Sequence, residues 1–168
     1  MAIIIKKQKE IFMQQDVKKE QNTTKVDDQS KKVLGGILSN AEMAKHSTSV
    51  VVKYAKDPKF CDTLNNQISK YDEYIQKARD LAKQYEIEPQ QPSGISKFFV
   101  EKSIKMRFAL GTCDSKIAEM MIKGTAMGII DLGKLLSHAE LISEDCTQLA
   151  KDLLTFEEDK INVLKYFL

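Results

Sequence analysis

Two long amphipathic patterns occupy the last third of the chain, from Cys113 to Leu168, and they are separated at Ala139–Ile142. In the second pattern the spacing alternates between four and three residues, which is typical of one face of an α-helix. This stripe consists of Cys146, Ala150, Leu154, Glu157, Ile161, Leu164 and Leu168. Ser143 precedes it, and its hydroxyl can cap the first helical turn. A broad apolar face must be buried, so we predict two helices folded back on each other and covered by the rest of the chain.

The first of these two helices contains three glycines, Gly124, Gly128 and Gly133. Each glycine in a helix interior costs about 1 kcal/mol relative to alanine, so their presence indicates close approach of a neighbouring backbone. The Gly124-x-x-x-Gly128 spacing is also typical of paired membrane helices. Charged residues such as Lys123 and Asp131 interrupt the apolar run, however. We therefore expect no membrane span.

Two further helices are predicted upstream. The first runs from Lys31 to Lys56 and ends at Asp57-Pro58, because proline disfavours helical geometry in the residue before it. The second keeps a regular apolar stripe that includes Tyr71 and stops before Pro89. The short link between these helices implies antiparallel neighbours.

A shorter basic and apolar segment, Ile95 to Leu110, follows and is closed by Gly111. The whole pattern predicts an all-α fold, an antiparallel four-helix bundle with an extra short helix between the second and third long helices. We assign residues 31–168 to this bundle. Residues 1–30 hold mixed charges and few apolar side chains, which indicates a flexible or loosely helical arm.

Charge, cysteine usage and the first residues of the chain limit its partners and its location. The net charge is only +2, from 26 basic and 24 acidic residues, so no strong field would attract nucleic acid. Cys61, Cys113 and Cys146 all fall at apolar positions of helical patterns, which indicates buried thiols in a reducing compartment. The apolar run Met1 to Ile5 is too short for a signal peptide. We expect a cytoplasmic protein that binds no nucleic acid.

The sequence lacks the motifs that mark several common classes of enzyme. The sequence has no glycine-rich phosphate loop, no nucleophile elbow and no Cys-x-x-Cys pair. The sequence therefore predicts a protein that is not an enzyme. The segment Phe98 to Arg107 combines aromatic and basic residues, a pattern that suits either membrane-surface contact or a connecting helix with solvated lysines.

The order of two helical hairpins with a longer link resembles a known superfamily. The glycine-containing stretch from Met120 to Ile130, followed by Leu153 to Asp159, is similar to small uncharacterised bacterial members of the ferritin-like superfamily. The resemblance covers Lys31 to the end of the chain. It implies a four-helix bundle with a carboxylate-bridged pair of iron or manganese ions, held by two glutamates and two Glu-x-x-His motifs. Neither histidine of this sequence belongs to such a motif.

Glu42, His46, Asp72 and Glu157 are the metal-ligand candidates that remain. In one reading they converge on a degenerate metal site. In the other, Glu42 pairs with Lys45, Glu157 sits at the edge of its stripe and pairs with Lys160, and no metal binds. Folding the last hairpin about its turn places Gly124 opposite Glu157, where a facing carboxylate would be needed, and a lysine three residues after Glu157 would repel a metal.

The sequence is therefore compatible with two functions. The first is a non-catalytic ferritin-like bundle without cofactor, which acts as a structural or protein-interaction module and self-associates, for example as a homodimer. The alternative is an iron- or manganese-binding relative with storage or oxidoreductase activity. Membrane-surface contact through Phe98 to Arg107 is a third and separate hypothesis.

Overall fold

The computed structural model describes residues 29–88, 94–109, 111–137 and 142–168. These residues form five α-helices: α1 (29–51), α2 (Pro58–Gln84), α3 (Gly94–Phe108), α4 (Asp114–Leu136) and α5 (Glu144–Leu164). Short 3-10 turns follow α1 at Val52–Tyr54 and α5 at Lys165–Phe167. The predicted arm up to residue 28 and most of the turn at Ala139–Ile142 lie outside the described residues.

The link between α1 and α2 is fixed by two carboxylates. Asp57 caps α2 by accepting a 3.0 Å hydrogen bond from the Phe60 amide, and Pro58 fits the first helical position because its missing N–H has no role there. Asp114, in the first turn of α4, accepts the backbone amides of Lys56 and Asp57, both at 2.8 Å. The two halves of the chain are therefore joined at this end of the bundle.

The other helix ends agree with the sequence predictions in part. Gly111 separates α3 from α4 as predicted, with a φ of 96° that favours glycine. Of the three thiols predicted to be buried, only that of Cys146 is buried. Cys61 is half-buried, and Cys113 is exposed at the N-cap of α4, outside the apolar stripe. Ser143 occupies the N-cap position of α5 as predicted, but its hydroxyl makes no capping bond. Its amide donates to Ser30 Oγ at 3.0 Å.

Contacts between helices give their order around the bundle. The pairs that define it are Lys45 with Asp72 and Glu42 with Arg79 (α1 and α2), Tyr71 with Glu157 and Tyr85 with Asp145 (α2 and α5), and Asn40 with Gly128 and Leu135 with Gly36 (α1 and α4). In each of these pairs one residue number rises as the other falls, so the neighbours are antiparallel. Helices α4 and α5 close the ring as a hairpin. The predicted four long helices with a short α3 between α2 and α4 are confirmed.

Helix α3 lies against the outside of α1 and runs parallel to it. Lys97 contacts Glu42, and one turn further on Glu101 approaches His46. At its end, the Phe108 ring packs edge-on against Tyr54 with centroids 5.2 Å apart. These contacts hold α3 along its length and create a groove between it, α1 and α2.

The glycines of the bundle have two different environments. A Cβ at Gly128 would stand 2.5 Å from Asn40 Nδ2, so a side chain of α1, rather than the predicted backbone, approaches α4 closely there. Gly36 has the same role against Leu135. At Gly124 and Gly133, in contrast, no atom of the described residues comes within 4 Å of the Cβ position. The prediction of close approach is therefore wrong for these two glycines, which lie on the outer side of α4.

None of the helices described by the structure has the length and apolarity that a bilayer crossing requires. The charged residues of α4 that interrupt its apolar run, among them Lys123 and Asp131, are exposed. Of the two glycines in the Gly124-x-x-x-Gly128 spacing, only Gly128 packs against α1.

Candidate functional site

A layer of buried polar side chains crosses the middle of the bundle. It separates two apolar clusters, one at each end, and each of the four long helices contributes to it. We call it the polar layer, and its members are Thr48, Gln67, Tyr71, Thr125, Glu157 and Lys160. The hydroxyl groups of the two threonines donate hydrogen bonds to backbone carbonyls of their own helices. The remaining members are the ones that could act chemically.

Three members of the polar layer form a closed cluster. The Tyr71 hydroxyl donates a 2.7 Å hydrogen bond to Glu157 Oε1. Lys160 Nζ lies 2.8 Å from Glu157 Oε2, which is an ion-pair distance, but the angle between these groups does not suit a hydrogen bond. Lys160 Nζ also donates a hydrogen bond to the Tyr71 hydroxyl. Both charged side chains are only 1% exposed. The ammonium group therefore compensates the charge of the carboxylate, and the phenol bonds to both groups.

Burial controls the protonation of this cluster. It lowers the pKa of the Lys160 amine, and the neighbouring Glu157 carboxylate acts in the opposite direction. Burial, followed by the charge of Glu157, raises the pKa of Tyr71 well above 10.0. The phenol therefore keeps its proton at neutral pH and remains a donor to Glu157.

A second candidate is a surface pocket of about 290 Å³ between α1, α2 and α3. Its lining residues are Glu42, Lys45, His46, Ser49, Asp72, Ile75, Arg79 and Lys97. The Glu42 side chain, 8% exposed, accepts from Arg79 Nη2 at 3.0 Å and from Lys97 Nζ at 2.6 Å. Lys45 and Asp72 pair at 2.5 Å. The expected pairing of Glu42 with Lys45 is therefore wrong, because Glu42 pairs with cations of two other helices and Lys45 pairs with Asp72.

His46 is the least engaged side chain of the pocket. Its Nε2 is buried and has no hydrogen-bond partner among the described residues. The nearest carboxylate oxygen is Glu101 Oε2 at 3.7 Å, too far for a hydrogen bond. The pocket thus combines one free imidazole nitrogen with two carboxylates that are already paired with cations.

The structure brings three of the four sequence candidates together. Glu42, His46 and Asp72 line the pocket, whereas Glu157 belongs to the polar layer. Glu157 does not face Gly124, which is exposed on the outer side of α4, because α4 turns Met121 and Thr125 inward instead. The hairpin register alone therefore misplaced the residue opposite Glu157.

These residues do not fit the metal pair that the sequence resemblance implies. A carboxylate-bridged site needs several uncompensated oxygen and nitrogen ligands directed at one point. Within residues 29–88, 94–109, 111–137 and 142–168, no group of three or more His, Cys, Asp or Glu side chains has that arrangement. Glu157 is neutralised by Lys160, and Glu42 by Arg79 and Lys97.

Sequence reasoning missed the interior position of Lys160. It assigned Ile161 to the buried stripe, whereas the buried face of α5 continues from Glu157 through Lys160 to Leu164. The steps of three and four that join these residues are helical spacing, so the signal was present. A lysine at such a position is read as exposed because burial of its charge is unfavourable without a partner.

Comparisons with models of protein families, with curated proteins and with solved structures gave no match for this chain. The all-helical bundle that the sequence resemblance implies is present, and no relative supports membership of that superfamily.

Proposed function

We propose that this chain is a non-catalytic, ferritin-like helical bundle that serves in the cytoplasm as a structural or protein-interaction module. The observation that carries the proposal is the ion pair between Glu157 and Lys160 inside the polar layer. A lysine ammonium group takes the place beside the interior carboxylate that a metal ion would need. The middle of the bundle is thereby held by the chain's own charges.

The outer side of α4 supports a role in association. Met127 is 67% exposed and Ile130 is 56% exposed, and Gly124 lies one turn before Met127 with open space at its Cβ position. Small and apolar residues in such an arrangement allow a second helix to approach closely. We propose that a second copy of the chain, or another protein, packs on this surface, which we call the α4 face.

Sedimentation equilibrium of the full chain over a wide concentration range tests the association. We expect a mass that rises with concentration, and Met127→Lys should weaken association by placing a charge in the contact. Thr155→Lys, an exposed position on α5, is the matched control and should leave the mass curve unchanged. A strictly monomeric mass at high concentration would contradict self-association.

The alternative, an iron- or manganese-binding protein with storage or oxidoreductase activity, is supported by one observation. Glu42, His46 and Asp72 line the same pocket, and His46 Nε2 is free of a hydrogen-bond partner among the described residues. Elemental analysis after incubation with iron(II) or manganese(II) tests it. We expect no stoichiometric metal, and stoichiometric metal that is lost in His46→Ala would overturn the metal-free proposal.

A further inference from the structure

Helix α3 carries apolar side chains on both of its faces. Its inner face contributes Ile104 and Phe108, each 5% exposed, to the apolar cluster at one end of the bundle. Its outer face presents Phe98 and Phe99, each 62% exposed, and Met106, 74% exposed. A helix that only connected α2 with α4 would need the inner face alone, so the outer face requires a separate explanation.

The charges of the outer face are all basic among the side chains described from Lys97 onward. Lys102, Lys105 and Arg107 are exposed there. Glu101, the acidic residue of the helix, is turned toward α1, where it approaches His46, and it also pairs with Lys105 at 2.6 Å. Successive residues of a helix are separated by about 100°, which places Phe99, Lys102 and Met106 nearest the centre of the outer face. Phe98 lies beside Lys105 at one edge of this face, and Arg107 lies at the other edge.

This charge pattern restricts the occupant. A two-fold contact with a second copy would bring Lys102 and Arg107 against cations of the same kind, which is unfavourable. The surface is also one convex helix with projecting rings, so it offers no groove to a peptide. Apolar side chains flanked by lysine and arginine are typical of helices that lie in the interface of an anionic bilayer.

We propose that the outer face of α3 docks the protein peripherally on an anionic membrane surface. Phe98, Phe99 and Met106 enter the headgroup region, while Lys102 and Arg107 remain at the level of the lipid phosphates and carboxylates. The inner contacts, among them the ion pair of Lys97 with Glu42, hold α3 to the bundle during docking. This surface is separate from the α4 face.

Co-sedimentation of the full chain with lipid vesicles tests the docking. We expect binding to phosphatidylcholine vesicles that contain phosphatidylserine, weaker binding to phosphatidylcholine alone, and loss of binding with added salt. The double variant Phe98→Ser/Phe99→Ser should bind at least about tenfold more weakly, because two apolar side chains no longer enter the interface. Lys102→Glu should reduce binding by about tenfold, since it reverses a charge at the surface.

A control variant on another part of the chain keeps the result specific to α3. Tyr166→Ser removes an aromatic side chain that is 87% exposed in the 3-10 turn after α5, outside both proposed surfaces, and should leave binding unchanged. Lysines between residues 6 and 32 provide charge elsewhere in the chain, so loss in the phenylalanine double variant is the decisive readout. Unchanged binding in that variant, absence of vesicle binding, or preference for soluble polyglutamate over vesicles would overturn the proposal, the last in favour of an acidic protein partner.

Discussion

Lys160 Nζ lies 2.8 Å from Glu157 Oε2, one helical turn further along α5, and both side chains are 1% exposed. Burial of two charges is unfavourable unless their attraction and further hydrogen bonds compensate for the lost hydration. Here the Tyr71 hydroxyl of α2 supplies the additional contact to Glu157. The cluster therefore links α5 to α2 in one defined register, and its disruption on one side would leave an unpaired buried charge.

The buried lysine predicts a rise of stability with alkaline pH. Burial lowers the pKa of Lys160 below 10.5, so at this site the unfolded chain binds more protons than the folded chain as the pH approaches that value. The free energy of unfolding should therefore increase with pH over this range. Above 10.0 the raised pKa of Tyr71 acts in the opposite direction, because the folded chain retains a phenolic proton that the unfolded chain releases.

Urea unfolding across alkaline pH measures this dependence, with Glu157→Gln/Lys160→Met as the reference that lacks the buried charges. The difference between the wild type and this double variant should change with pH, since titrating groups elsewhere are common to both. An identical pH slope in the two proteins would show that the pKa of Lys160 is the same in the folded and unfolded chains.

Alanine at Gly124 and alanine at Gly128 should change the stability of the bundle by different amounts. Gly124→Ala should increase the free energy of unfolding by about 0.5–1 kcal/mol, because it improves helix propensity and meets no neighbour. Gly128→Ala should gain less or lose stability, because its Cβ would stand 2.5 Å from Asn40 Nδ2. Thermal unfolding at low protein concentration measures both variants, and Asn40→Ala should restore the gain in Gly128→Ala. Equal effects at the two positions would contradict the close approach of α1.

Asp114 should stabilise the protein by more than an acidic side chain normally does at a helix N-terminus. Its carboxylate accepts two backbone amides of the link between α1 and α2, so Asp114→Ala should lower the free energy of unfolding by about 1.5–3 kcal/mol. Glu144→Ala is the control, since Glu144 is an exposed acid in the first turn of α5 and should cost no more than about 1 kcal/mol. Denaturant unfolding compares the two, and equal losses would assign no special role to Asp114.

The arrangement of the helices could be predicted from the sequence because its signals are local. Helical spacing, the Asp57-Pro58 stop and Gly111 each act within a few residues, and they placed the helices and the short α3. The positions of helix ends were predicted less accurately: α1 ends at residue 51 rather than at the predicted Lys56. Contacts with Asp114, which is distant in sequence, determine the conformation of that link.

The candidate sites depended on rotations of helices about their axes, which a single sequence does not provide. Glu42 faces Arg79 and Lys97 of two other helices rather than the adjacent Lys45, and α4 turns Thr125 inward where Gly124 was expected. Residue spacing limits which side chains share a face, but not which face meets which neighbour. The sequence therefore shows the individual polar residues of this layer, but it does not show that they meet in the middle of the bundle.

A double-mutant cycle on Glu157 and Lys160 tests most directly whether the polar layer is a self-compensated structural cluster. The free energies of unfolding of the wild type, Glu157→Gln, Lys160→Met and the double variant would be measured in urea at neutral pH. We predict that each single variant is destabilised by about 3 kcal/mol and that the double variant loses much less than the sum of the two. Additive losses would contradict the account, because they would mean that Lys160 does not compensate the charge of Glu157.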